Sequence, residues 1–210
     1  MCIRDSSYTL SSLVKSDVDM ISELTQREVL NGLKRLTLKL YRRNPQEYRK
    51  AGLDSPEAAA ERIFRHVGRG RESPLAFVGW MDRLQLAFKE DYAGDRVHVL
   101  MEALTAMILA AYEYKTEFYL TDALDAQKLY NSARNIEVAV WKLSTARLAN
   151  GQKMLLTNSL EGEVPNLSFE REFGKLIAQQ DLLALIMEER SHRTINRIMH
   201  NVAAFVLLPL

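Results

Sequence analysis

The chain has a single cysteine, Cys2, in 210 residues. A disulfide scaffold is therefore excluded, and cysteine usage selects neither an oxidising nor a reducing compartment. Glycine and proline are scarce, nine and five residues, which removes collagen-like and low-complexity architectures. No sign of charge dominates: 28 Lys and Arg stand against 27 Asp and Glu. A globally basic nucleic-acid binder and an acidic solvating tail are both excluded by that balance. No uncharged run reaches the roughly 18 residues that a membrane-spanning helix requires. Phosphate-cradling glycine loops, dinucleotide fingerprints and nucleophile elbows are missing too.

Leucine and alanine are abundant, with 31 Leu and 21 Ala against 12 Val and 9 Ile. That bias favours helix over sheet, because β-branched side chains lose rotamer freedom in a helix and Ala and Leu lose little. The expected fold is all-α: a single-domain bundle of about six or seven helices, spanning residues 13–210, around a central apolar helix. Residues 1–12 are expected to be disordered or artefactual. The first helix runs from Val14 to Arg43 on a stripe containing Val18, Ile21, Val29, Leu33, Leu36 and Leu40, which Leu24, Leu30 and Leu38 widen, and Asn44-Pro45 stops it. Ser55-Pro56-Glu57 opens a second helix ending near Val67-Gly68. Ser73-Pro74 precedes a third, carrying Phe77, Trp80, Met81, Leu84 and Phe88 and ending near Gly94.

Asp95 opens the most apolar stretch, Val97 to Ala111, running on towards Tyr119. It is apolar nearly all round, the pattern of a helix buried among others. Asp122 or Asp125 caps the next helix, which Asn150-Gly151 ends. A long connection over residues 151–167, with an extended pair around Met154–Leu156, leads to a helix from a Ser168 cap to about Arg190. A terminal amphipathic helix is expected from Ile195 to Val206, its apolar face on the bundle.

Three patterns bear on chemistry. Glu189 and His192 have metal-like spacing, but a di-iron bundle needs a second such pair, which the sequence lacks, so neither metal nor cofactor is expected. His98, Glu102, Thr105, Tyr112 and Glu113 form a polar seam on the buried helix, with Asn131, Arg134, Asn135 and Glu137 as its expected partners. The seam is either an internal hydrogen-bond network or a small ligand cavity. Arg134 would be an anchor there, since arginine stays protonated and cannot act as a base. Residues 34–71 carry eleven basic and four acidic side chains. Lys34, Arg35, Lys39, Arg42, Arg43, Arg49 and Lys50 form the first half of that patch. It is either a solvated face or a contact for an anionic partner. Tyr41 and Tyr48 are too few for a base-stacking platform, and nucleic acid is not an expected ligand.

Leu40-Tyr41-Arg42-Arg43-Asn44-Pro45, Lys115-Thr116-Glu117-Phe118, Gln127 to Glu137, and Leu207-Leu208-Pro209-Leu210 together resemble a proteobacterial lipoprotein family of no assigned activity. The resemblance covers nearly the whole chain from Leu13 and implies an envelope protein, membrane-anchored and periplasm-facing, held by a lipidated cysteine upstream of Leu13. It implies no catalytic step. Met1 to Ser6 resemble a translated sequencing-adaptor fragment from metagenomic reading frames, which would account for the missing signal and anchor. The expected function is a non-enzymatic interaction or structural module that binds a protein partner, with an anionic membrane surface as a second contact. The alternatives are a small-ligand-binding domain using the polar seam, or a soluble regulator using the basic segment.

Overall fold

The computed structural model describes residues 15–119, 122–158, 163–164, 166–192, 194–197 and 204–210. The expectation for residues 1–12 lies outside them. The described helices are α1 (Asp17–Arg43), α2 (Pro45–Lys50), α3 (Pro56–Phe64), α4 (Trp80–Leu86), α5 (Arg96–Ala111), α6 (Ala126–Thr145) and α7 (Ser168–Ser191). Two 3-10 turns, Val67–Glu72 and Pro74–Phe77, link α3 to α4. The all-α bundle is thus present, and α5 is its centre. Helix α5 touches α1, α2, α3, α4 and α6, while α7 closes the bundle against α6 and α1. All of α5 except His98, Glu102 and Ala110 is buried, as the nearly uninterrupted apolar run requires.

A helix start inside a core leaves amide donors that water cannot reach. Two carboxylates satisfy them here. Asp95 accepts from the His98 N–H at 2.8 Å and from the Tyr41 hydroxyl at 2.9 Å. Glu47, on α2, accepts from the Arg96 N–H at 2.7 Å. Both negative groups also face the positive end of the helix dipole. The buried Arg96 guanidinium donates to the carbonyls of Ala87, Lys89 and Glu90, which fixes the turn after α4.

At the other end of α5, the Tyr112 hydroxyl donates to Gln180 on α7 at 2.7 Å, and Gln180 donates to Ser132 on α6 at 2.7 Å. All three side chains are fully buried. This short chain of bonds ties three helices together without leaving a polar atom stranded.

Several boundaries differ from the sequence expectation for identifiable reasons. Ser16 caps α1 through a capping box with Asp19; Val14 lies outside the described residues. Ile21 and Leu24 stay exposed, because the stripe that enters the core is narrower than the apolar pattern. Pro45 does stop α1, but it also occupies the first position of α2, a place where its missing N–H is harmless. Helix α3 ends at Phe64. The expected third helix is split: a 3-10 turn covers Pro74–Phe77, α4 starts only after Gly79, and Phe77 is 83% exposed. Helix α5 stops at Ala111 because Glu113 and Tyr114 adopt left-handed backbone angles, φ 56° and 58°.

Asp125, and not Asp122, caps α6. Ser168 lies inside α7; its N–H donates to Asn166 and its own side chain caps nothing. The extended pair in the long connection is a single antiparallel bridge, Arg147 to Lys153, formed against the end of α6. The expected terminal helix is absent where its ends are described. Residues 194–197 are not helical, since the N–H groups of Ile195 and Asn196 are taken by the side chains of Glu188 and Gln127. Phe205 is left-handed at φ 51°. Residues 198–203 of that expected helix lie outside the described residues.

The capping of α5 sets the stability of the bundle. Asp95→Ala removes an N-cap and strands the buried Tyr41 hydroxyl, so a loss of about 2–3 kcal/mol is expected by denaturant unfolding. Tyr41→Phe removes the hydroxyl along with its need for a partner and should cost about 1 kcal/mol. Equal losses from the two substitutions would contradict the capping role.

Candidate functional site

The polar seam of α5 does not converge on one place. His98 and Glu102 do pair, at 3.6 Å, but their neighbour is Arg83 of α4, 3.2 Å from the Glu102 carboxylate. Thr105 turns back onto the Met101 carbonyl at 2.7 Å. Tyr112 is held by Gln180, and burial pushes its hydroxyl well above the ordinary tyrosine value. Glu113 lies past the helix end, 3.6 Å from Lys115. Burial alone would raise the Glu102 carboxyl. The adjacent His98 imidazole, followed by the charges of Arg83 and Arg62, outweighs it and holds the group below the ordinary carboxylate value.

The residues expected to face that seam from α6 face elsewhere. Arg134 pairs with Asp181 on α7 at 2.5 Å and with Glu137 one turn on at 3.1 Å, and its cation lies 5.0 Å over the Tyr130 ring. Its side chain is only 18% exposed, so it is an anchor between helices. Burial raises the Asp181 carboxyl against the opposing pull of Arg134. Asn131 and Asn135 hold the chain's own C-terminal segment. Asn135 donates to the Leu208 carbonyl at 2.9 Å and accepts from the Leu208 N–H at 2.7 Å. Asn131 donates to the Pro209 carbonyl at 2.8 Å. Gln127, one turn earlier and not singled out by the sequence, pairs in the same two-way fashion with the backbone of Asn196. The spacing 127, 131, 135 is a helical row of carboxamides, and that regularity is the signal that could have revealed it.

The first half of the basic segment is committed to partners. Lys34 pairs with Glu61, Arg35 with Glu172, Arg42 with Glu57, Arg43 with Glu163 and Lys50 with Glu47. Lys39 lies 4.8 Å over the Phe169 ring, and burial lowers its ammonium from the ordinary value. Arg49 lies over Tyr48. These pairs are mostly exposed, so each adds little to stability, but together they occupy the charges that would attract an anion.

The second half of the segment is different. Arg71 reaches a cleft of about 780 Å³ beside the end of α5, where Phe77, Trp80 and Tyr114 form aromatic walls and Lys128 of α6 supplies a second cation. Neither Arg71 nor Lys128 has a carboxylate partner among the described residues. The wall is shaped by backbone geometry: left-handed Glu113 and Tyr114 bring the Tyr114 carbonyl so close to Gly70, itself at φ 56°, that a Cβ there would sit 3.0 Å from it. A cleft with aromatic walls and two cations against the single carboxylate of Glu113 suits an anionic ligand with an apolar body. The sequence reading missed this cleft, because it joins residues from four separate segments.

Among the described residues, no group of three or more His, Cys, Asp or Glu side chains is placed to hold a metal ion. Glu188 instead accepts from the Ile195 N–H and pairs with Arg197, while His192 ends α7 in a left-handed conformation at φ 53°. No helix among the described residues is long and apolar enough to cross a membrane. No family model, no curated protein and no solved structure matches the chain.

The Glu102 cluster has a defined pH signature. Its carboxyl titrates lower in the folded protein than the ordinary 4.5, so the unfolded chain takes up the proton first as pH falls. The stability it contributes is complete above about pH 5.5 and is lost as pH drops through the lowered folded value. Glu102→Gln is expected to remove about 1 kcal/mol at pH 7 and to flatten the fall of stability between pH 5 and 3. An acid-unfolding profile with an unchanged slope would remove Glu102 from the charged role.

Proposed function

We propose that this chain is the helical part of a non-enzymatic, membrane-anchored envelope protein, facing the periplasm, that binds a protein partner through an anionic group. The observation that carries the binding reading is the cleft of Phe77, Trp80 and Tyr114 with the unpaired cations Arg71 and Lys128. Its chemistry suits a carboxylate presented beside an aromatic or aliphatic side chain, because the ring faces bury the apolar part while the cations meet the charge. The polar seam supports a small-ligand reading less well, since its members are spent on separate local contacts. The first half of the basic segment supports an anionic contact less well, since its charges are paired or stacked.

The minimal probe is 4-phenylbutyrate, titrated while the Trp80 indole N–H is followed by NMR in a Trp141→Phe background. Saturable shifts at Trp80 are expected, weakened at least about tenfold, or roughly 1.4 kcal/mol, by Arg71→Glu with Lys128→Glu. Equal shifts from the uncharged amide, 4-phenylbutyramide, would overturn the reading. The envelope assignment rests on the family resemblance and has its own test. An uninterrupted genomic reading frame should carry a signal segment ending in a lipidation cysteine upstream of Leu13, and a frame with a leaderless start would refute it.

A further inference from the structure

A second binding surface lies on α6 and adjoins the cleft, whose lining includes Lys128 of α6 and Leu210, and its occupant is visible. Residues 204–210 cross the molecular surface and do not thread through its core: Ala204, Val206 and Pro209 are exposed, while Leu208 alone is buried. The segment is held both by its backbone and by apolar packing, with Phe205, Leu207 and Leu210 against the core beside buried Leu208. Asn135 pairs with both the N–H and the carbonyl of Leu208, and Asn131 takes the carbonyl of Pro209. Asn135 is fully buried where it meets the segment. Phe205 is the upstream anchor, its ring edge-on to Phe88 at 5.6 Å. This is how peptide-binding domains divide labour: main-chain bonds give affinity, and a pocket for one or two side chains gives selectivity. The proline contributes a pre-set backbone angle, so less entropy is lost on seating.

We infer that the α6 row of Asn131 and Asn135 is a recognition site for a non-helical peptide of the form aromatic-x-x-Leu-Pro-apolar, and that residues 205–210 are its occupant in cis. Nothing in the grip depends on covalent attachment. The bonds from Asn131 and Asn135 go to backbone groups, which a separate peptide carries equally well. A segment of that chemistry on a partner competes for the same place.

The test uses the full chain and a fluorescently labelled peptide, acetyl-Phe-Val-Leu-Leu-Pro-Leu-amide, copying residues 205–210. Fluorescence anisotropy should show weak binding to the wild-type chain, where the site is filled. Binding should be at least tenfold tighter in Leu208→Asp, which loosens the resident segment but leaves α6 intact. Adding Asn135→Leu should abolish it. Should Leu208→Asp not fold, Phe205→Ala serves the same purpose by removing the ring contact with Phe88. For the wild-type chain, the Asn135 side-chain amide signals should shift as peptide is added. Peptide binding that survives Asn135→Leu, or that is no tighter in either loosened variant, overturns the site. A concentration-dependent dimer that Asn135→Leu dissolves would assign the groove to a second copy's segment and also overturn the proposal.

Discussion

The buried N-terminus of α5 is the constraint on which the rest of the bundle depends. A helix so apolar can only sit at the centre, yet its first turn carries backbone donors into a place without water. Asp95 and Glu47 resolve this from two directions. Each brings a further element with it: Asp95 fixes Tyr41 at the end of α1, and Glu47 fixes α2 and Lys50. Arg96 then anchors the turn after α4. One requirement of hydrogen-bond satisfaction thus positions three elements around a single helix end.

Much of this architecture is legible in the sequence, and the limits of legibility have physical causes. The apolar run from Val97 to Ala111 announces a central helix, and the Ser-Pro-Glu signal at Ser55 announces α3, because both are local patterns. The break between Phe77 and Trp80 is not readable from spacing, since Gly79 and the 3-10 turn interrupt a periodicity that continues on paper. The polar seam shows the same limit for the site. Helical spacing correctly puts His98 beside Glu102, but it cannot say that Arg83 arrives from α4 while Arg134 leaves for Asp181. The partners of Asn131 and Asn135 are likewise out of reach of local spacing, since they come from a chain segment more than seventy residues away.

Carboxamides have a recurring job in this molecule. Asn44 donates to the Leu156 carbonyl at 2.9 Å and accepts from the Leu156 N–H at 2.7 Å. Gln127 does the same for Asn196, and Asn135 for Leu208. In each case a side chain on a helix, or for Asn44 at the junction of two, imitates a neighbouring β-strand and supplies both bonds that an isolated stretch of chain would otherwise lack. An uncharged amide suits this role, because it offers donor and acceptor together and brings no net charge into the interior. The charged groups lie mostly outside that scheme, in surface pairs or, for Arg71 and Lys128, at the edge of the cleft.

The Asn44–Leu156 clamp also has a consequence for the order in which the molecule is assembled. It joins residues 112 positions apart, and the Arg190–Asp19 ion pair joins residues 171 apart. Long loops close slowly, because their entropy is lost before the contact rewards it. During synthesis, α1 emerges first, yet one contact at each of its ends waits for a segment made more than a hundred residues later. The half-made chain thus has only α2, α3 and α5 to set against the apolar stripe of α1 until α7 arrives to cover it.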